Sequence, residues 1–217
     1  MFVLCSTVAI DILNELHGSR MPYNSRMKSV CVFCGSSLGV APEYDIAAKS
    51  LGAALAKQKI TLVYGGSHMG LMGSVANAAL AAGGEVVGVI PRSMAERELA
   101  HQSLTQLVVV ESMHERKAMM NDLADGFIAM PGGLGTLEEM AEVLTWAQLG
   151  IHHKPCAFLN TRGYYDHMRA FFDHAVAEGF MKQLHAELPL VGGDPVSLLA
   201  QMRNYLPRHT EKFSRKG

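Results

Sequence analysis

The chain has 217 residues, of which 49% are hydrophobic and 18% charged, with a formal net charge of −1. This balance is typical of a globular protein and excludes a chain that is disordered throughout. The near-zero charge gives no reason to expect a nucleic-acid or membrane-surface partner, and no apolar run reaches the ~18 residues that a transmembrane helix needs.

The two ends of the chain differ from its middle. Residues 1–26 carry Asp11 and Glu15 and lack a basic start, which argues against a signal peptide. Either this leader is an appended segment with a short amphipathic helix over residues 8–16, or the natural start is Met27. We expect one domain over residues 27–206, followed by a basic tail over 207–217.

From Lys28 onward, short apolar runs alternate with helical patterns. The runs predict strands over residues 29–34, 60–66, 85–91, 104–111, 126–133 and 154–160. The patterns between and after them predict helices over 42–58, 70–84, 112–125, 136–150, 163–180 and 194–206. Strands with few polar residues are typical of a parallel sheet covered on both faces. The alternation therefore predicts a doubly wound, Rossmann-like α/β fold with helices on both faces of the sheet.

Three turns after predicted strands are rich in small residues: CGSSLG (34–39), YGGSHMGLMG (64–73) and PGGLGT (131–136). In such a sheet, ligands bind beyond the carboxyl ends of the strands. Glycine allows close backbone approach, and a helix that starts there offers free N–H groups, which suits a phosphate. Leu71 replaces the P-loop lysine and Glu138 replaces the third glycine of a dinucleotide motif, which argues against a classical ATP or NAD site and leaves a mononucleotide site open.

The acids after the third turn have two interpretations. Thr136 and Glu139 have the spacing of a capping box, in which Thr136 is the N-cap and Glu139 the third helical residue. Alternatively, a carboxylate beside a phosphate loop faces the sugar of the ligand, where it stabilises positive charge or orients water. The local pattern leaves both interpretations open.

Arg116 is the second candidate, because it shares a helical face with apolar residues Met119, Met120 and Leu123. A guanidinium on an apolar stripe is costly unless it meets an anion. It can extend to solvent, pair with a structural acid, or contact an anionic ligand at the mouth of the crevice. Lys117 adds a neighbouring cation.

The cysteines and histidines indicate no metal site. Cys31 and Cys34 form a CxxC, but the motif lies in a predicted strand, where these positions point to opposite faces. We expect free thiols in a reducing cytoplasm. We expect the neighbouring His152 and His153 to lie in an exposed turn.

PGGLGTLEE matches the PGGxGTxxE signature of the LONELY GUY family, the cytokinin riboside 5′-monophosphate phosphoribohydrolases. The resemblance extends through CVFCGSS, YGGSHMGLMG, GVIPRSM and MHERKAMM, and covers about residues 28–206. It implies a Rossmann-like homodimer that hydrolyses the N-glycosidic bond of a purine nucleoside 5′-monophosphate, giving free base and ribose 5-phosphate. Although members have been called lysine decarboxylases, it implies no pyridoxal-phosphate cofactor. The base preference stays open between AMP and N6-modified adenine nucleotides, and a non-catalytic nucleotide-binding module is the alternative.

The resemblance also implies roles for single residues. Arg116 and Glu139 match the catalytic pair, and the glycine loop with Thr136 matches the phosphate site. Glu98 matches a substrate-contacting position, although RELAHQSLTQ departs there from the commoner family pattern. The implied substrate-binding set is Glu98, Lys117, Gly132, Gly133, Gly135, Thr136, Glu138, Thr145, Ser36 and Gly66.

Overall fold

The computed structural model describes residues 27–96 and 100–207, which build one seven-stranded parallel sheet in the order β4-β3-β2-β1-β5-β6-β7. Every recorded strand pair is parallel, which confirms the predicted fold class. The strands are β1 (Ser29–Phe33), β2 (Thr61–Tyr64), β3 (Val86–Pro91), β4 (Gln106–Val110), β5 (Phe127–Ala129), β6 (Cys156–Leu159) and β7 (Leu190–Gly192).

Helices connect the strands and cover the sheet. The longer ones are α1 (Pro42–Lys57), α2 (Gly70–Ala81), α4 (Met113–Leu123), α5 (Leu134–Gln148), α6 (Asp166–Ala177) and α8 (Pro195–Arg203). Two single-turn helices, α3 (Arg92–Ala95) and α7 (Gln183–Ala186), and a 3-10 turn at Thr161–Gly163 complete the described elements. No helix in the described ranges is long and apolar enough to cross a bilayer.

The strand order has a reversal beside β1. The chain runs outward from β1 through β2 and β3 to β4, and then returns to place β5 on the other side of β1. Connections therefore leave β1 and β5 in opposite directions, which opens a crevice at their carboxyl ends. The CGSSLG and PGGLGT turns follow these two strands, so the topology brings them together.

The core has two layers, one on each face of the sheet. Helices α1, α2 and α8 cover the face that holds Val32, Cys34 and Tyr64, whereas α4, α5 and α6 cover the face that holds Cys31 and Phe127. The two cysteines of the CxxC thus lie on opposite faces, as the alternation of a strand predicts. Both are buried free thiols.

Three predictions about elements need correction. The seventh strand, Leu190–Gly192, escaped prediction because Pro189 and Gly193 flank its short apolar run, a pattern typical of a loop. Edge strand β4 is not covered on both faces, because 38% of Leu107 and 42% of Val109 remain exposed. Helix α5 begins at Leu134, two residues before the predicted start. The predicted leader, its amphipathic helix and the tail beyond Pro207 lie outside the described residues.

The prediction of an exposed turn at the histidine pair is wrong for His152. This ring is buried against Phe127, and its Nε2 lies 2.9 Å from the Val143 carbonyl oxygen. Burial lowers the pKa of His152 to about 4, so the imidazole is neutral and structural. His153 is exposed, as predicted. Among the described residues, no group of three or more His, Cys, Asp or Glu side chains is arranged to hold a metal ion.

Candidate active site

Three loops meet at the carboxyl ends of β1, β2 and β5. The Gly35 amide donates to the Pro131 carbonyl oxygen (3.0 Å), and the Leu71 amide donates to the Gly35 carbonyl oxygen (3.1 Å). Gly70 has a φ of +52°, and a Cβ at this position would overlap the backbone around Ser36. Only glycine fits such a left-handed, crowded position. Ser36 lies exposed at this junction.

The PGGLGT turn opens α5. Gly133 is its N-cap, so the backbone N–H groups of the first turn have no partner within the helix. Gly132 is pressed against buried Thr136, whose Oγ1 a Cβ would overlap, whereas a Cβ on Gly133 or Gly135 would meet nothing within 4 Å. Gly132 thus permits the close packing of the loop. Gly133 and Gly135 leave open space in front of the positive end of the helix, where an anion is stabilised.

Helix α4 holds Arg116 in place. Its N-cap, Ser112, accepts a hydrogen bond from the Glu115 amide (3.1 Å), which fixes the first turn. Arg116 follows one turn later and is only 9% exposed. Its Nε donates to the Val89 carbonyl oxygen (3.1 Å) and its Nη1 to Oε1 of Glu139 (2.6 Å). The guanidinium therefore meets the anion that its position on the helix requires.

Glu139 lies inside α5, and it is not part of a capping box. The helix starts at Leu134 with Gly133 as N-cap, so the interpretation of Thr136 as the N-cap is wrong. The side chain of Glu139 is 11% exposed and pairs with Arg116 from the facing helix. Burial raises the pKa of Glu139, and the nearby guanidinium opposes that shift. Arg116 thus favours the charged carboxylate in a place where solvation is poor.

A second ion cluster extends this contact between α4 and α5. Lys117 Nζ lies 2.6 Å from Oε1 of Glu138 and 3.3 Å from Oε1 of Glu142. The hydrogen bond with Glu138 raises the pKa of Lys117. Glu138 is exposed, with 55% of its side chain accessible, so solvent screens this pair more than the buried Arg116 pair.

For two residues of the predicted set the recorded contacts do not include Arg116 or Glu139, and a third lies outside the described part. Gly66, with a φ of +75°, packs against Ile90, and its carbonyl oxygen accepts the His101 amide (2.9 Å). Thr145 lies two turns beyond Glu138 on α5, and its hydroxyl donates to the Ala141 carbonyl of the same helix. Glu98 lies outside the described residues.

Gly65 is a site residue that the sequence analysis missed. A Cβ there would overlap Nη2 of Arg116 and lie 3.2 Å from the sulfur of Met72. Its φ lies outside the left-handed region, so the need for glycine comes from the close approach of the guanidinium. The only sequence signal is its place at the end of a strand, ahead of Gly66.

Gly65→Ala tests this close approach. The added methyl displaces the guanidinium of Arg116 from Val89 and Glu139. We expect turnover to fall about 10²-fold, because moving a catalytic group by about 1 Å has an effect of that size. Stability falls as well, because the displaced guanidinium disturbs a buried ion pair, although the backbone conformation itself accepts alanine. Steady-state kinetics and thermal unfolding separate the two effects. Gly193→Ala is the control, because its Cβ meets nothing within 4 Å; equal activity in both variants contradicts the role of Gly65.

Comparison with known proteins agrees with the geometry. A family model described as "possible lysine decarboxylase" matches residues 72–202. Cytokinin riboside 5′-monophosphate phosphoribohydrolase LOG1 of Arabidopsis thaliana is 44% identical over 197 residues, which are 91% of this chain and 92% of that protein. The chain belongs to the LONELY GUY family. A second LONELY GUY relative, the cytokinin riboside 5′-monophosphate phosphoribohydrolase of Rhodococcoides fascians, is 49% identical over 178 residues, 82% of this chain and 90% of that one.

Solved structures share the LONELY GUY fold at lower identity. The molybdenum cofactor binding protein of Rippkaea orientalis superposes with a TM-score of 0.62 at 21% identity, covering 81% of this chain and 94% of that one. The protein TM1055 gives a TM-score of 0.62 at 23% identity, over 81% and 97% of the two chains. At these identities the likeness shows the fold alone.

Proposed function

We propose that this chain hydrolyses the N-glycosidic bond of cytokinin riboside 5′-monophosphates, releasing the free cytokinin base and ribose 5-phosphate. The observation that carries the proposal is the buried Arg116–Glu139 pair, 2.6 Å apart, beside a glycine-rich helix start in the crevice between β1 and β5. Relatives of 44–49% identity carry this activity in their names. The fold, the anion site and the paired charges are all parts that this reaction requires.

The 5′-phosphate belongs at the start of α5. Backbone N–H groups of the first helical turn have no partner within the helix, and the helix dipole favours an anion there. Gly133 and Gly135 leave the space in front of them open. Binding at this end of the nucleotide holds the ribose in one orientation and lowers the entropic cost of reaching the transition state.

The carboxylate of Glu139 acts on the ribose. Cleavage of the glycosidic bond develops positive charge at C1′ in an oxocarbenium-like transition state. A poorly solvated carboxylate stabilises that charge more strongly than a hydrated one, and it can also orient the attacking water. Arg116 keeps this carboxylate ionised and in place, and its remaining N–H groups can donate to the substrate.

Chromatography of the purified protein with AMP and, separately, N6-isopentenyl-AMP tests the function. We expect release of free base, and the ratio of the two rates tells cytokinin activation from general purine salvage. Measurable binding without base release from any purine monophosphate would instead support a nucleotide-binding module without catalysis. The structure favours the enzyme, because a binding module does not need a buried ion pair beside its ligand.

We also propose a homodimer in a reducing cytoplasm. The helices that carry the ion pair expose apolar side chains, namely Met119 (37%) and Leu123 (38%) on α4 and Leu149 (43%) just after α5. Apolar exposure of this kind favours an interface. Light scattering should give about twice 23.5 kDa, and a mass near 23.5 kDa contradicts the dimer.

The buried free thiols in the described residues suit a reducing compartment.

A further inference from the structure

The carbonyl groups of residues 130–132, just before the proposed phosphate site, all accept hydrogen bonds from the protein. Tyr165 Oη donates to the Met130 carbonyl (2.6 Å), and Tyr164 Oη donates to the Gly132 carbonyl (2.7 Å). The Gly35 amide donates to the Pro131 carbonyl between them (3.0 Å). Three successive carbonyl oxygens are thereby turned toward protein donors.

This orientation matters for an anion. A carbonyl oxygen that faces a phosphate repels it, whereas an amide N–H attracts it. In a trans peptide the carbonyl of one residue points opposite to the N–H of the next, so fixing the Pro131 and Gly132 carbonyls aims the Gly132 and Gly133 amides the other way. Pro131 has no N–H, so the bond to Met130 only turns a carbonyl oxygen toward the protein. The loop enters α5 at Gly133, directly after the carbonyl that Tyr164 holds.

Tyr165 is held firmly, whereas Tyr164 is 42% exposed and packs edge-on against the Tyr165 ring. Tyr165 is 1% exposed, and its ring packs 4.5 Å from Phe158 and 5.1 Å from Tyr164, measured between centroids. Its amide donates to Oδ1 of Asn160 (2.7 Å), whose side-chain amide in turn donates to Asp166 (2.8 Å). Burial raises the pKa of Tyr165, which keeps its hydroxyl protonated as a donor.

We propose that Tyr164 and Tyr165 are positioning residues, whose hydroxyl groups hold the carbonyls of Gly132 in the PGGLGT loop and of Met130 just before it away from the substrate's phosphate. The inference rests on the proposed function, because it assumes that the phosphate binds at the start of α5. Tyr164 and Tyr165 lie 32 and 35 residues from the carbonyls that they bind, on the connection that follows β6. Their hydroxyl groups contact the backbone of this segment, and their effect on the substrate passes through that backbone.

Tyr164→Phe and Tyr165→Phe keep the rings and remove only the hydroxyl groups. We expect each to raise KM for AMP about three- to tenfold, the range that one hydrogen bond accounts for, with kcat little changed. The inhibition constant of inorganic phosphate should rise by the same factor, while that of adenine stays constant. Tyr44→Phe is the matched control, since Tyr44 packs 6.0 Å from Tyr164 and its hydroxyl has no hydrogen bond to this loop among the described residues.

Kinetics and phosphate titration of these variants tell a positioning role of the tyrosines from a purely structural one. A purely structural role would lower kcat through loss of folded enzyme and leave KM and the phosphate constant unchanged, which would overturn the proposal. Calorimetric titration with inorganic phosphate measures the loop without turnover. If the wild-type protein binds no phosphate by this method, the assignment of the loop as the phosphate site fails, whereas the proposed function is decided separately by the release of free base. If the wild type binds phosphate and both variants bind it equally well, only the role of the tyrosines fails.

Discussion

Glu139→Gln is expected to lower the rate of base release about 10²–10⁴-fold, the range observed when a catalytic proton-transfer or charge-stabilising group is lost. The amide has nearly the same shape as the carboxylate. Its oxygen can still accept the hydrogen bond that Nη1 of Arg116 donates to Oε1 of Glu139 (2.6 Å) in the unchanged protein. It carries no negative charge to stabilise an oxocarbenium-like sugar. The loss should therefore appear in kcat, while AMP binding measured by calorimetry stays within a few-fold of the wild-type value.

A matched variant separates the loss of the Glu139 charge from unspecific effects of a glutamate-to-glutamine substitution. Glu178 lies on the exposed surface just after α6, so Glu178→Gln changes the same chemical group away from the crevice, and it should retain normal turnover. Wild-type rates in Glu139→Gln would leave the carboxylate with a structural role only. A loss of AMP binding as large as the loss of kcat would place Glu139 in substrate binding.

Arg116→Met has the second large effect. Methionine fills much of the volume, but the Glu139 carboxylate loses its partner in a place where its side chain is only 11% exposed. Because burial already raises the pKa of Glu139, removal of the guanidinium raises that pKa further and favours the neutral acid. We expect turnover to fall about 10²–10³-fold and activity to recover in part as the pH is raised, because higher pH restores the carboxylate.

The double variant tests whether the two residues act together. If Arg116 works by keeping Glu139 ionised, Arg116→Met combined with Glu139→Gln should be little slower than Glu139→Gln alone. Fully multiplied losses would mean that Arg116 contacts the substrate independently of its partner. Arg169→Met, on the exposed surface of α6, is the control for loss of a positive charge and should behave like the wild type.

The parallel sheet was predictable because each buried strand and its following helix have clear periodic patterns. The anion site at the glycine turns stays a prediction. Positive φ restricts Gly70 to glycine and close approach restricts Gly132, whereas a Cβ on Gly133 or Gly135 would meet nothing within 4 Å. The capping box was a wrong interpretation because a glycine can serve as an N-cap, which moved the start of α5 to Leu134 and left Thr136 inside the helix. Local spacing alone could not choose between two starts that are two residues apart.

The contacts that the sequence did not reveal join residues far apart in the chain. Arg116 lies 27 residues from the Val89 carbonyl to which it donates. His152 appeared exposed from its polar neighbours, yet its position against Phe127 and Val143 buries it. Tyr165 looked like an ordinary helix residue until the fold placed its hydroxyl on Met130. Partners of this kind depend on tertiary packing, for which a single sequence carries no direct signal.

The ion cluster between α4 and α5 has a consequence for how a nucleotide reaches the site. Two cations, Arg116 and Lys117, face three carboxylates, those of Glu138, Glu139 and Glu142, so this cluster has a net charge of −1. A cluster of that sign exerts no long-range attraction on a phosphate dianion. Capture then depends on short-range contacts with the backbone at the start of α5, and diffusion brings the substrate to the crevice without electrostatic steering by these side chains.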